Sequence, residues 1–205
     1  MLGSHGVKGD TLIEVLFAVT VFSMVAVGAL SIMNQGSAAS QRALEITLVR
    51  QQIDSQAETL RFLNNSYVTA YSGTGQTYSP GTPAKQWADM LASIELTGTA
   101  KSSDLSTCSA PVGSFIFDPQ TAQFIAPNPS KIVPAMTFSQ LVYNAGNFSL
   151  AQGIWIEAIR SADNKTDDYQ AHIGYIDFHI RACWPSPGQA VPVTLGTIVR
   201  LYEPR

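Results

Sequence analysis

The sequence predicts an α+β fold, in which a long N-terminal helix keeps its apolar half free and packs its amphipathic half on a small antiparallel β head. Three observations carry that prediction. Between Leu12 and Met33 the only ionisable side chain is Glu14, so this run is apolar enough to span or nearly span a bilayer. From Gln35 to about Leu63 apolar residues recur at three- and four-residue steps. The last third of the chain holds three segments rich in β-branched and aromatic residues, parted by turn-forming stretches.

In the apolar run, a carboxylate a few residues from the start needs a reason. Thr11-x-x-Glu14 matches a capping box, in which the hydroxyl and the carboxylate satisfy the free amides of a helix start. A carboxylate in apolar surroundings is also costly unless it meets a cation or a donor, so Glu14 equally suits a partner group on another chain. The two roles do not exclude each other. Val15 to Leu30 has no charge and no Pro; Ser23, Gly28 and the adjoining Ser31 are the weak points, the Gly at about 1 kcal/mol relative to Ala. Met1 to Lys8 is polar, and its one cation precedes the apolar run, which places Lys8 on the cytoplasmic side and the bulk of the chain outside. A secretory signal would instead put its cleavage site after the apolar core.

The residues Lys8-Gly9-Asp10-Thr11-Leu12-Ile13-Glu14-Val15-Leu16 resemble the processing signal of type IV pilins and of the related pseudopilins of type II secretion and competence systems. The resemblance implies a leader over 1–9, cleavage after Gly9 by a prepilin peptidase, and methylation of the new amino terminus at Asp10. It makes Glu14 the fifth mature residue, whose carboxylate neutralises the terminal amine of a neighbouring subunit during filament assembly. The first mature position carries Asp10 where the family usually carries Phe, and no Pro stands near Ser31, where such pilins often have one. The chain then divides into the leader, an N-terminal helix over 10–65 (10–33 transmembrane or filament core, 34–65 amphipathic) and a globular head over 66–205.

Beyond the apolar run, the 205 residues suffice for one core of ordinary size. Charged residues make up 13%, about half the usual share; part of that deficit is the apolar run, and the remainder is a surface rich in Ser, Thr, Asn and Gln. Net charge is −3, so nothing in the bulk charge invites nucleic acid or anionic lipid.

In the amphipathic half, Leu44, Leu48, Val49, Ile53, Ala57, Leu60 and Leu63 form the inward stripe, with Arg42, Glu45, Arg50, Asp54, Glu58 and Arg61 on other faces. The helix is expected to end near Asn64-Asn65, giving about 75 to 80 Å from Thr11 to Leu63. The stripe lacks the sustained heptads of a coiled coil. Tyr71 to Pro83 reads as a loop, Lys85 to Ile94 as a short helix with Trp87, Met90, Leu91 and Ile94 inward, and Thr99 to Val112 as irregular. Ser114 to Asp118 and Ala122 to Ala126 read as strands joined at Pro119, and Thr137-x-x-Gln140 as the start of a helix that stops before Gly146. Gly153 to Arg160, Gln170 to Trp184 and Val191 to Tyr202 are the three β segments, the middle one placing Ile176, Phe178, Ile180 and Ala182 on one face and Tyr175, Asp177, His179 and Arg181 on the other.

No cofactor is expected. The chain lacks Gly-x-Ser-x-Gly, His-Glu-x-x-His and Walker patterns, and Gly73-Thr74-Gly75 lacks the later Gly, strand and helix of a phosphate cradle. His179 with Asp177 is a poor candidate for hydrolysis. Asp163, Asp167 and Asp168 form a weak calcium candidate, since Lys165 takes a ligand position and no Gly follows. Cys108 and Cys183 have neither a Cys-x-x-Cys spacing nor a His cluster, which disfavours metal; with the head outside the cytoplasm a disulfide between them is expected.

The expected function is structural: a subunit, in particular a minor pilin, of a type IV pilus-like surface filament serving adhesion, motility or DNA uptake, and not an enzyme. Its expected partners are other pilin subunits through the N-terminal helix, the inner-membrane assembly platform, the prepilin peptidase, and the membrane before assembly. A pseudopilin of a secretion or competence system is the first alternative. A tip adhesin is the second, with the Tyr71 to Pro83 and Pro127 to Leu150 stretches as candidate surfaces for an unknown ligand.

Overall fold

Helix α1 (Asp10–Ala70) is long because no Pro interrupts its 61 residues. The computed structural model describes residues 10–73, 75–94, 96, 106–160 and 174–204. Two compact units divide the chain between Ala43 and Leu44, within α1. The first is purely helical over its described residues. The second contains the rest of α1 and the head.

In the second unit, α1 buries Val49, Ile53, Ala57, Leu60 and Leu63, the spacing its sequence announces. Two members of the expected stripe are not in the core: Leu48 is half-buried, and Leu44 stays 60% exposed, ahead of the first buried residue. Gln56 also lies on the buried face and is fully enclosed. Its Nε2 donates to the Phe117 carbonyl at 2.8 Å, and its Oε1 accepts from the Phe117 amide at 2.9 Å. One side chain thereby supplies the helix-facing edge of a strand with the two bonds that a neighbouring strand would give.

The helix outruns its expected end by a turn and a half. Asn64 and Asn65 do not stop it, because Tyr67 packs on Trp87 and Tyr78; the Ser66 and Thr69 hydroxyls are accommodated by bonding back to the Phe62 and Asn65 carbonyls. Gln76 Nε2 then caps the Ala70 carbonyl at 2.7 Å. Helix α2 (Pro83–Ser93) has Thr82 as its N-cap, Pro at its first turn, and Ala84, Trp87 and Met90 buried.

Among the described residues eight strands follow, in three small sheets. β1 (Ile116–Asp118) and β2 (Gln123–Ile125) form a hairpin. Its turn is held by the Asp118 carboxylate, which accepts from the Gln120 amide, the Thr121 hydroxyl and the Tyr143 hydroxyl. Burial and that bond to Asp118 push the Tyr143 hydroxyl pKa up.

The helix expected after Thr137 does not form. β4 (Gln140–Asn144) and β5 (Asn147–Gln152) occupy the segment as an antiparallel hairpin. Ala145 and Gly146, at φ 49° and 81°, make a two-residue turn with both residues left-handed, the geometry that matches strand twist. That turn and the tertiary partner of β5 outweigh the capping-box pattern, for β3 (Ile132–Val133) pairs parallel with β5. A strand as short as β3 leaves no periodic signal in the sequence.

β6 (Ile154–Ile159), β7 (Tyr175–Trp184) and β8 (Val193–Tyr202) form the antiparallel sheet expected of the C-terminal third. β7 alternates as its sequence does: Ile176, Phe178, Ile180 and Ala182 are buried, and the residues between them are half-buried. Phe178 meets Trp87 and Phe115, which joins the sheet to α2 and the first hairpin. Cys108 and Cys183 are bonded, as expected, tying the segment before β1 to the end of β7. Gly153 sits against this junction at φ +61°, where a Cβ would collide with the Cys183 carbonyl oxygen and lie 2.7 Å from the Ala135 Cβ.

Candidate functional site

Between Leu12 and Met33, α1 presents apolar side chains on every side. Leu12, Phe17, Phe22, Met24 and Met33 are 68 to 80% exposed, and the other large apolar residues of this run are exposed as well. A helix apolar all round is stable only when lipid or other protein covers it, and the transfer at stake here is on the order of tens of kcal/mol. α1 is long and apolar enough to cross a membrane.

Two of its hydroxyl side chains, Thr20 and Ser23, are already suited to an apolar medium. Thr20 Oγ1 donates to the Leu16 and Phe17 carbonyls at 2.7 and 2.9 Å, and Ser23 Oγ to the Val19 carbonyl at 2.7 Å. Glu14 differs. It lies exposed on the second turn, four residues after Asp10 and so on the same helix face, and its carboxylate has no hydrogen bond or ion pair among the described residues. α1 already includes Asp10, so Thr11 falls inside the first turn and not at the N-cap that a capping box requires. Gly9 lies outside the described residues.

The other candidates fall apart geometrically or lie outside the description. Asp163, Asp167 and Asp168 are outside the described residues. Among the described residues no group of three or more His, Cys, Asp or Glu is placed to hold a metal. Both carboxylate oxygens of Asp177 are taken by Arg200, at 2.8 and 2.7 Å, which holds its carboxyl below the usual range. Arg200 also lies over the Tyr175 ring at 4.0 Å. His179 is pushed down from its ordinary value, chiefly by burial and then by Arg181. Asp177 therefore serves the guanidinium and is not free to orient the imidazole.

The two stretches expected as ligand surfaces differ in kind. Tyr71 to Pro83 is irregular over its described residues up to the start of α2, whereas Pro127 to Leu150 is no loop, since β3, β4 and most of β5 lie within it. A cavity of about 180 Å³ lies between Pro111–Ser114 and Pro127–Ile132. The hydroxyl of Ser114 in its lining is buried and has no hydrogen-bond partner among the described residues.

Sequence reasoning missed two anchors in the second unit. Glu45, which the amphipathic pattern places off the inward stripe, accepts from the Trp184 indole at 3.0 Å and from the Ser186 hydroxyl at 2.6 Å, tying α1 to the end of β7 and the segment after it. Gln56 is the other anchor. A polar residue on an otherwise apolar stripe was its only available signal.

No family model, curated protein or solved structure matches this chain. The functional reading accordingly stands on the residues themselves.

Proposed function

We propose that this chain is a type IV pilin-like structural subunit, in particular a minor pilin, held in the membrane by α1 before assembly and displayed afterwards in an extracellular surface filament. The observation that carries the reading is Glu14: a carboxylate with no partner among the described residues, near the start of a run, Leu12 to Met33, whose large apolar side chains are exposed on every side of the helix. The Gly9-Asp10 junction before it supplies the processing logic, since cleavage there leaves an amine four residues from Glu14.

In this mechanism the peptidase removes 1–9, the apolar face from Leu12 to Met33 leaves lipid for a bundle of like helices, and the Glu14 carboxylate meets a neighbour's Asp10 amine. The exchange of lipid for protein around the helix is nearly neutral for apolar surface, so the ion pair and close packing set the register. The head stays in water, closed by its disulfide.

The test is the mature N-terminus. Intact mass and N-terminal sequencing of membrane and sheared filament fractions are expected to give a chain beginning at Asp10. Filaments containing chains that still begin at Met1 would overturn the reading.

A further inference from the structure

We infer that β8 is a docking edge that pairs antiparallel with β8 of a second copy of this chain, centred on Ile198. Among the described residues β8 is the outer strand of its sheet, bonded on one side only. The Glu203 amide donates to the Gly174 carbonyl opposite it, which fixes the phase of the ladder: 199, 201 and 203 bond toward β7, while the amides and carbonyls of Thr194, Gly196, Ile198 and Arg200 face away. None of these four backbone positions has a partner among the described residues, and all four residues are exposed. Only beyond them is the edge closed, where Asn64 of α1 donates to the Tyr202 carbonyl at 3.4 Å.

Protein edges are ordinarily protected, and this one is not. β8 runs ten residues, about twice the usual strand, with no Pro and no break in its register with β7. Its one charge, Arg200, is already neutralised by Asp177 and stacked on Tyr175. Ile198 stands 59% exposed at the middle of the edge.

The occupant follows from what the edge offers itself. With the two copies antiparallel about Ile198, Ile198 meets Ile198, and Gly196 lies opposite Arg200, so no like charges oppose each other. Gly196 also leaves the Arg200 guanidinium room to keep its place over Tyr175. On the reverse face Leu195 meets Leu201. Moving the centre by one residue sets Thr194 against Arg200 and Ile198 against Gly196, and the apolar pair is lost.

The experiment uses the full-length chain in detergent with a short bis-maleimide, comparing Ile198→Cys with Thr194→Cys. In the inferred register the two thiols introduced by Ile198→Cys are adjacent, whereas those introduced by Thr194→Cys lie eight residues apart along the strand, about 27 Å. Cross-linked dimer is expected on the order of tenfold higher for the first variant than for the second, and a synthetic 193–202 peptide in excess is expected to suppress it where a scrambled peptide does not. The double variant Thr194→Cys, Tyr202→Cys, expected to link 194 to 202 of the second copy, serves if Ile198→Cys does not fold. Equal yields from the two single variants, as association through α1 alone would produce, or insensitivity to the peptide, would overturn the inference.

Discussion

Glu14 and Gly153 show how one residue can be decided by surroundings its own neighbours in sequence do not reveal. Glu14 has lost the geometry of a helix cap, because α1 starts before Thr11, and it has gained no partner among the described residues. Glu14→Gln is therefore expected to leave cleavage and membrane insertion unchanged and to abolish entry into filaments. Losing one partner of a buried charge pair costs roughly 3 to 5 kcal/mol, which is large against a subunit contact. The measure is the ratio of filament-bound to membrane-bound protein, with Thr11→Ala expected to behave as wild type; normal incorporation of the Gln variant would remove the charge-compensation mechanism. Gly153→Ala meets a different constraint. The left-handed φ and the Cys183 carbonyl in the path of the added methyl force the β6–β7 junction apart. A loss on the order of 3 kcal/mol or more is expected from denaturant unfolding of the folded head.

Elements in this protein are joined by side chains as much as by ladders. The Gln56 amide substitutes for a strand neighbour at Phe117, so Gln56→Leu keeps the volume while leaving a buried amide and carbonyl unsatisfied. A cost of about 2 to 4 kcal/mol is expected. If chemical denaturation shows Gln56→Leu as stable as wild type, the two bonds to Phe117 are not holding α1 to β1. The β4–β5 hairpin makes the complementary point. Its Thr137-x-x-Gln140 pattern reads as a helix start, yet a left-handed Ala145-Gly146 turn and a parallel neighbour, β3, made the strand the better state. Local propensity differs between the two states by tenths of a kcal/mol per residue, less than the pairing contributes.

For the whole head, acid and reductant are the informative perturbations. His179 has a lowered pKa in the fold, so below its ordinary value of 6.5 the unfolded chain takes up a proton that the fold refuses. Stability is expected to fall as pH drops below about 6.5 and to stop falling, for this group, below the folded pKa. Asp177 is also lowered, by Arg200; its contribution is present above the ordinary value of 3.8 and is lost as pH falls through the folded pKa. Thermal melts from neutral to about pH 2 should show both losses in turn, and His179→Gln should remove the first while leaving the second. Reduction of Cys108–Cys183, which are 75 residues apart, is expected to remove about 4 to 5 kcal/mol in the chain-entropy account and to lower Tm, with the β6–β7–β8 ladder retained. An unchanged Tm on reduction would show that the segment before β1 is held in place without the bond.

What the sequence determined by itself is what periodicity and solubility dictate. The apolar run with one carboxylate, the stripe from Val49 to Leu63 and the alternation of β7 each depend on a residue's position in its own element, so they survive any arrangement of the others. Two half-cystines in one head likewise left a single intramolecular pairing. What only the tertiary structure decided is which polar groups meet: Gln56 at Phe117, Glu45 at Trp184, Arg200 at Asp177, and the outward amides of β8 from Thr194 to Arg200 at nothing among the described residues. Hydrogen bonds are short and directional, so a displacement of one residue in register makes or breaks them. A linear pattern marks such a residue as polar; its partner is set by the packing of every other element.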